Sequence, residues 1–311
     1  SILGVNVIRD TQGIQVNCSG YIDKVYAKFE PKTGCTKTGS SFNPLLKYEE
    51  SQDVDQTQYR SLVMSLMYIA KRCRPDVLYT VSTLSTHSNA PKLEHFEAAR
   101  SALEYLHQSK TQGLRYEDSS EAPSLSIYAD ASFAPHLDGK SHTGILCIYA
   151  GGVVLAKSSK QKTVSKSTAD AELSACSEAI DCGFWIRDIL KSIGAVVPNP
   201  IPVFQDNQAS ISTMTKGSIG KRHRATVAKL HHIRENIEGG IIQLIYSPTT
   251  EMLADILTKT IREKSQRNGL ISRIVKDSPT GKSNFYFACI NAQDPSPSIP
   301  SADPRNFSIS I

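Results

Sequence analysis

The stretch Leu125-Ser126-Ile127-Tyr128-Ala129-Asp130-Ala131-Ser132 decides how the rest of the chain is read. Leu125, Ile127 and Ala129 fall on one side and Ser126, Tyr128 and Asp130 on the other, the period-2 pattern of a half-buried strand. Aspartate is a poor strand former. At a strand end it most often caps a turn. Three more acidic residues at the ends of neighbouring elements, Glu172, Asp206 and Asp255, point to another use.

Downstream of this strand, Thr143 to Ala150 and Val153 to Lys160 read as two further strands joined by a Gly151-Gly152 turn, an antiparallel meander. Ser167-Thr168-Ala169-Asp170 opens an amphipathic helix that carries Leu173, Cys176, Ile180, Trp185, Ile186 and Leu190 towards Gly194. Pro202 to Asp206 reads as a buried strand, Asn207 to Thr215 and Thr226 to Glu238 as helices, Ile241 to Tyr246 as a strand and Thr250 to Ile261 as a last helix. This order predicts an α/β fold, a mixed five-stranded sheet with flanking helices. In such sheets, strand carboxyl ends and the helices abutting them gather at one edge. Asp130, Glu172, Asp206 and Asp255 would meet there. Converged carboxylates repel one another unless they hold cations, and an all-oxygen donor set suits Mg²⁺ or Mn²⁺ rather than zinc. Taken singly, each acid has a plainer role: Glu172 compensates a helix dipole, Asp206 caps the helix at Asn207, and Asp255 is a solvated helix residue.

Upstream, Leu3 to Ile8 and Ile14 to Val16 read as a hairpin around Asp10-Thr11-Gln12-Gly13, followed by a helix from Tyr21 to Phe29 and a polar connection from Lys32 to Asp55. Three apolar helices follow, around Tyr59 to Ile69, Val77 to Leu84 and Leu93 to Leu106. This is a small, mostly helical domain with no catalytic cluster. The polar stretch Tyr116 to Pro123 marks a boundary, so the expected domains are 1–117 and 124–265. The Pro- and Ser-rich stretch 277–311 cannot build a core and is expected to be disordered.

A chain of 311 residues with 40% hydrophobic content has room for two domains with cores, and a net charge of +5 permits nucleic-acid binding without requiring it. No membrane span or signal peptide is expected. The seven cysteines form no C-x-x-C pair and are expected to be free thiols in a reducing compartment. A start in mid-pattern without Met suggests a piece of a longer polypeptide.

Five blocks, Tyr128-Ala129-Asp130-Ala131-Ser132, Ser158-Ser159-Lys160-Gln161-Lys162-Thr163-Val164, Ser167-Thr168-Ala169-Asp170-Ala171-Glu172-Leu173, Phe204-Gln205-Asp206-Asn207-Gln208-Ala209 and Leu253-Ala254-Asp255-Ile256-Leu257-Thr258-Lys259, resemble the ribonuclease H domain of copia-type LTR retrotransposon polyproteins. Leu3-Gly4-Val5, Tyr59 to Tyr68, Arg74-Pro75-Asp76 and His95-Phe96-Glu97-Ala98-Ala99 resemble the end of the same polyprotein's reverse transcriptase and its connection. The resemblance spans about residues 1 to 265. It implies a ribonuclease H-like fold, hydrolysis of the RNA strand of RNA–DNA hybrids, and two Mg²⁺ or Mn²⁺ ions held by Asp130, Glu172, Asp206 and Asp255. Asp130 would bridge ions about 3.5–4 Å apart, with Glu172 and Asp206 completing one site and Asp255 the other. The paired-aspartate strand of the polymerase is absent from this sequence, so no polymerase activity is expected.

The partners implied are the hybrid and the remainder of the polyprotein, with no membrane, in the cytoplasm (within a virus-like particle) or the nucleus. The histidine that assists product release in cellular ribonucleases H has no clear counterpart just ahead of Asp255; His231 and His232 are the nearest substitutes. Lys157, Lys160, Lys162 and Lys166, with Lys216, Lys221, Arg222, Arg224, Lys229 and Arg234, read as phosphate contacts flanking the acids. Ser158, Ser159, Asn207 and Gln208 read as hydrogen-bond partners of the hybrid. Two other classes stand beside the nuclease: a remnant that only binds nucleic acid, and a polynucleotidyl transferase of the integrase kind. Against the latter stand the Glu in second place and the lack of a His/Cys zinc module.

Overall fold

The computed structural model describes residues 3–29, 52–118, 123–216 and 224–278. Its first part joins an antiparallel sheet of β1 (Asn6–Asp10), β2 (Gly13–Asn17) and β3 (Leu114–Glu117) to helices α1 (Ser19–Phe29), α2 (Gln56–Arg72), α3 (Leu78–Ser85) and α4 (Leu93–Gln108). β3 was not expected as a strand. Its four residues pair with β2 through Leu114↔Val16 and Tyr116↔Ile14, a long-range ladder that gives no local periodic signal.

The second part is a five-stranded sheet in the order β6-β5-β4-β7-β8, formed by β4 (Ser126–Ser132), β5 (His142–Tyr149), β6 (Gly152–Lys160), β7 (Ile201–Gln205) and β8 (Ile242–Tyr246). β4, β5 and β6 are antiparallel, and β7 and β8 run parallel to β4. The helices are α5 (Thr168–Ser192), α6 (Gln208–Thr215) and α7 (Arg224–Glu238). This is the expected α/β architecture, a ribonuclease H-like mixed sheet with helices preceded by a mostly helical part. The β5–β6 turn lies one residue earlier than expected. Ala150 and Gly151 take positive φ (+52° and +72°), and Gly152 already pairs with Tyr149. Two consecutive positive φ values are what a tight hairpin of this hand requires.

The alternation in β4 works as the sequence indicates. Leu125, Ile127 and Ala129 are buried with α5 and α7 residues such as Cys176, Ile180 and Leu230. Gly183 lets α5 come close, since a Cβ there would sit 2.1 Å from Ile127 Cδ1. The opposite face of the sheet, through Leu146 and Val153, shares one core with the N-terminal helices. The two segments read as separate domains therefore share buried apolar surface, the dominant favourable term in folding.

The end of the chain departs most from expectation. In place of one helix over Thr250 to Ile261 there is a short 3-10 turn, Leu253–Leu257, followed by α8 (Lys264–Ile274), which starts at Glu263 with its carboxylate accepting from Ser265 N and Gln266 N. Leu253, Ile256, Leu257, Leu270 and Ile274 all enter the core of the N-terminal helices. Lys276 pairs with Gly113, extending this attachment past 265. The remainder of the stretch expected to be disordered, 279–311, lies outside the described residues, as does most of the Lys32–Asp55 connection.

Cys18 and Cys73 form a disulfide with Cα atoms 6.5 Å apart, which corrects the expectation of free thiols throughout. Both lie in the core, where α1 and the end of α2 meet, a proximity that their separation of 55 residues conceals. Among the described residues Cys147, Cys176 and Cys182 are free.

The block Arg74-Pro75-Asp76 is structural. The fully buried Arg74 donates from Nε and Nη2 to Asp76 Oδ1 and Oδ2 (3.0 and 2.7 Å) and from Nη1 to Ser109 O (3.0 Å). Tyr105 OH donates to Asp76 Oδ2 (2.8 Å), so the pair is fully hydrogen-bonded. Breaking a buried pair from one side strands a charge at a cost of about 3–5 kcal/mol. Asp76→Ala is accordingly expected to lower unfolding free energy by that amount in urea titration; a loss below about 1 kcal/mol would show the pair to be solvated.

Candidate active site

Asp130 sits near the end of β4, opposite Gly144 of β5. The choice of glycine matters, because a Cβ at 144 would lie 2.6 Å from Thr258 Cγ2 and 2.9 Å from Ala254 O. That vacancy lets the 3-10 turn lie directly on the sheet. Thr258 Oγ1 then donates to Asp130 Oδ2, and Asp255 is carried to the same edge, fully buried.

A second brace secures the turn. Ser158 Oγ donates to Leu257 O (2.7 Å), and a carbonyl can only accept. His142 Nε2 must then be the donor to Ser158 Oγ (2.8 Å), leaving His142 Nδ1 to accept from His136 Nε2 (3.0 Å). Burial pushes the His142 pKa down to about 3, with the neighbouring His136 adding to the effect.

Glu172 lies in the second turn of α5, whose start is capped by Ser167 Oγ accepting from Asp170 N (3.2 Å). Asp206 follows β7, half-buried, and accepts at Oδ2 from Thr249 Oγ1 (3.0 Å). Carboxylate oxygens of Asp130, Glu172 and Asp206 all lie within 4.8 Å of one another. Asp255 is not in that close set. Its Oδ2 lies 2.9 Å from Lys259 Nζ.

Burial pushes the Glu172 pKa up to about 10, with the charges of Asp130 and Asp206 adding to it. Burial and then the charge of Asp130 raise Asp255 to about 7, against the pull of Lys259. Asp130 is raised by burial, partly offset by Lys259 and Thr258. Burial alone would lower the Lys259 pKa, but Asp130 and Asp255 outweigh it and hold the ammonium charged. Glu172 Oε2 and Asp255 Oδ1 are buried oxygens without a hydrogen-bond partner. Three hard oxygen ligands from three elements, one orphaned, facing a cleft of about 520 Å³, suit a hard divalent cation.

The other anticipated site residues divide. Asn207 and Gln208 line the cleft, although Asn207 Oδ1 also caps α6 by accepting from Ser210 N (3.0 Å). Lys160, Lys162 and Lys166 are exposed on the approach to α5, Lys160 paired with Asp138 (2.7 Å), and Arg224 is exposed at the start of α7. Ser159 is half-buried in β6, and Lys216 is exposed after α6. Ser158 is buried, and its hydroxyl belongs to the brace described above. Lys157 pairs with Glu178, Lys229 donates to Ser174 Oγ (2.7 Å), and Arg234 donates to Met214 O and Thr213 O (both 2.9 Å), so these three are engaged within the fold. Lys221 and Arg222 lie outside the described residues.

His231 is exposed on α7, and His232 pairs with Asp181 (3.2 Å), nine residues along α5 from Glu172. That separation is about 13 Å at 1.5 Å per residue, which places His232 away from the acids. Sequence reasoning assigned no role to Thr258 or Lys259. The signal was available in the Asp255-x-x-x-Lys259 spacing, which puts a cation one turn from the acid.

The strand order, the meander with its parallel crossovers and the acids gathered at one sheet edge define a ribonuclease H-like domain. The chain is a homologue of the Pol polyproteins of copia-type transposons. It is 29% identical over 272 residues to the retrovirus-related Pol polyprotein from transposon TNT 1-94 of Nicotiana tabacum, covering 84% of this chain and 20% of that one. It is 32% identical over 187 residues to a putative transposon Ty5-1 protein of Saccharomyces cerevisiae, covering 57% of this chain and 59% of that one. The chain thus spans about one fifth of the length of the plant polyproteins it matches. Among solved structures, LC11-RNase H1 is similar with a TM-score of 0.35 and 19% identity, over 43% of this chain and 92% of that one. No protein-family model matches the sequence. Among the described residues no helix is long and apolar enough to cross a membrane.

The raised Glu172 pKa carries a sign. The folded protein keeps this proton up to about pH 10, whereas the unfolded chain loses it near 4.5, so its contribution to stability falls as pH rises between those values. In EDTA, Glu172→Gln is expected to raise the melting temperature at pH 8 and leave it unchanged at pH 4, by about 2–4 °C per kcal/mol relieved. A lowered melting temperature at pH 8 would contradict the buried, repelled state assigned to this carboxyl.

Proposed function

We propose that this chain hydrolyses the RNA strand of RNA–DNA hybrids with the aid of divalent cations, as the ribonuclease H part of a copia-type retrotransposon Pol polyprotein. The observation that carries this reading is the convergence of Asp130, Glu172 and Asp206 from β4, α5 and the end of β7, with oxygens within 4.8 Å and a buried Glu172 oxygen unpaired. Mg²⁺ or Mn²⁺, two ions by family resemblance, would supply activation of the attacking water and stabilisation of the leaving 3′ oxygen.

The residues divide the remaining work. Asp130, Glu172 and Asp206 would hold one cation, with Asp130 and Asp255 on the side of the other. Thr258 fixes the Asp130 carboxylate by donating to Oδ2. Thr249 does the same for Asp206. Glu172, held protonated by burial, would ligate a cation as the ionised carboxylate that cation binding favours. Asn207 and Gln208 at the cleft wall are neutral donors suited to a sugar or phosphate oxygen, and a 2′-hydroxyl within their reach is what distinguishes RNA from DNA. Exposed Lys162, Lys166 and Arg224 would meet the duplex backbone, while the remainder of the polyprotein, the reverse transcriptase above all, would share the grip on the hybrid.

The test is incubation of the purified chain with an end-labelled RNA–DNA hybrid in Mg²⁺, in Mn²⁺ and in EDTA, beside Asp130→Asn. Cleavage of the RNA strand alone is expected, absent in EDTA and reduced at least about 100-fold in the variant, the scale on which loss of preorganised electrostatic stabilisation acts. Salt-sensitive hybrid binding without any cutting would replace this reading with that of a binding remnant.

A further inference from the structure

The seam between the N-terminal helices and the C-terminal residues that return to them is not fully closed. A half-enclosed space of about 90 Å³ lies in it. One wall comes from the start of α3 and from α4, through Val77, Tyr79 and Tyr105; the other comes from Ile256, Ile261 and, on α8, Ile271. Burying a flat ring among such side chains is favourable, and contact with other aromatic rings adds to the gain.

The charge around this space is one-sided. Among the described residues lining it, the one acid is Asp76, whose two carboxylate oxygens are already answered by Arg74 and Tyr105. The cations are Lys259, which is held by Asp255, and Arg267. Arg267 donates from Nη1 to Ile261 O (3.3 Å), which ties its guanidinium to the wall. A guanidinium presents five N–H donors in one plane and can hold a carboxylate in addition to its contacts within the fold. Thr80 and Asn268 add neutral donors.

Size narrows the occupant further. A closed apolar cavity of about 150 Å³ takes benzene. This smaller space, open to solvent on one side, admits a single ring with its substituent in the mouth. A nucleoside is too large for it, and the surplus positive charge repels a cation. A ring inside with an anion at the mouth satisfies both the apolar walls and Arg267.

We propose that this space is a binding site for a small aromatic carboxylate, its ring among Val77, Tyr79, Tyr105 and Ile271 and its carboxylate on Arg267. The ligand bridges the helical part and the α8 attachment. The inference is independent of the nuclease reading, since no residue of the acid set takes part in it.

The experiment is a ¹⁹F NMR titration of the full chain at pH 7.5 with 4-fluorobenzoate and, separately, with 4-fluorobenzamide, which has the same shape without the charge. The acid is expected to bind with a Kd of about 0.1–1 mM, the range open to a ligand of about ten non-hydrogen atoms. The amide is expected to bind at least about tenfold more weakly, the scale of a hydrogen bond to a charged group. Arg267→Met is expected to bring the acid to the affinity of the amide and leave the amide unchanged, with Arg267→Lys falling between. Thr80→Phe, which fills the space, is expected to abolish binding of both. Circular dichroism checks that each variant is folded, and Arg267→Met stays decisive if Thr80→Phe is less stable. Equal affinity for acid and amide, no binding up to about 10 mM, or acid binding that survives Arg267→Met undiminished would overturn the proposal.

Discussion

The contact on which the site depends is the close approach of the turn Leu253–Leu257 to β5 at Gly144. Any side chain at 144 would meet the Thr258 methyl and the Ala254 carbonyl closer than atoms tolerate, so the turn would lift from the sheet. With it would go Thr258, which holds Asp130, and Asp255 itself. The turn is pinned on both sides. Ser158 and the His142–His136 chain grip the Leu257 carbonyl from the sheet, and Leu253, Ile256 and Leu257 are buried in the core of the N-terminal helices. The helical part is thus the surface against which the acid-bearing turn is clamped. That explains why residues beyond 265 return to it through α8 and the Gly113–Lys276 bridge.

Two ways of burying charge stand side by side in this molecule. Asp76 is buried with every oxygen answered by Arg74 or Tyr105, the arrangement that makes a buried pair tolerable. Asp130, Glu172 and Asp255 are buried with their ionised forms disfavoured, and Glu172 Oε2 and Asp255 Oδ1 are left without a hydrogen-bond partner. Nothing in packing requires the second arrangement, and it costs stability near neutral pH. A fold that tolerates it must recover the cost elsewhere, here from two large apolar cores on the two faces of one sheet. Perturbed acids at a cleft have the character expected of a functional site.

Legibility followed the range of the interactions. The alternation of β4, the meander, the cap at Ser167 and the order of the four acids are local or periodic signals, and they carried both the topology and the convergence of Asp130, Glu172 and Asp206. What escaped was set by contacts distant in sequence. β3 exists because β2 is there to pair with it, and the Cys18–Cys73 bond because α1 meets the end of α2. The expected helix over 250–261 has helical apolar spacing, but Leu253, Ile256 and Leu257 face a core made by other segments, and a tight turn satisfies them. The inward setting of Ser158 was not legible either, because position in a motif does not state which way a strand residue points; the pleat does.

The same limit applies to charge, with a consequence for how a duplex would approach. A tally of lysines and arginines near the acids suggests a broad basic collar. The fold narrows it, since Lys157, Lys229 and Arg234 are committed to partners within the protein and Lys160 shares its charge with Asp138. Around the start of α5, what remains exposed among the described residues is Lys162 and Lys166 ahead of it and Arg224 at the start of α7, while Lys216 is exposed after α6 and the half-exposed Lys259 at the cleft is tied to Asp255. Lys166 precedes Thr168, which lines the cleft, and Thr226 near Arg224 donates to Asp170 in the first turn of α5. These cations therefore gather around the N-terminus of the helix that carries Glu172, where the helix dipole also favours anions. Under the proposed nuclease reading, a phosphate backbone drawn to that end would pass Asn207 and Gln208, and the few free charges would orient it more than supply the bulk of its affinity.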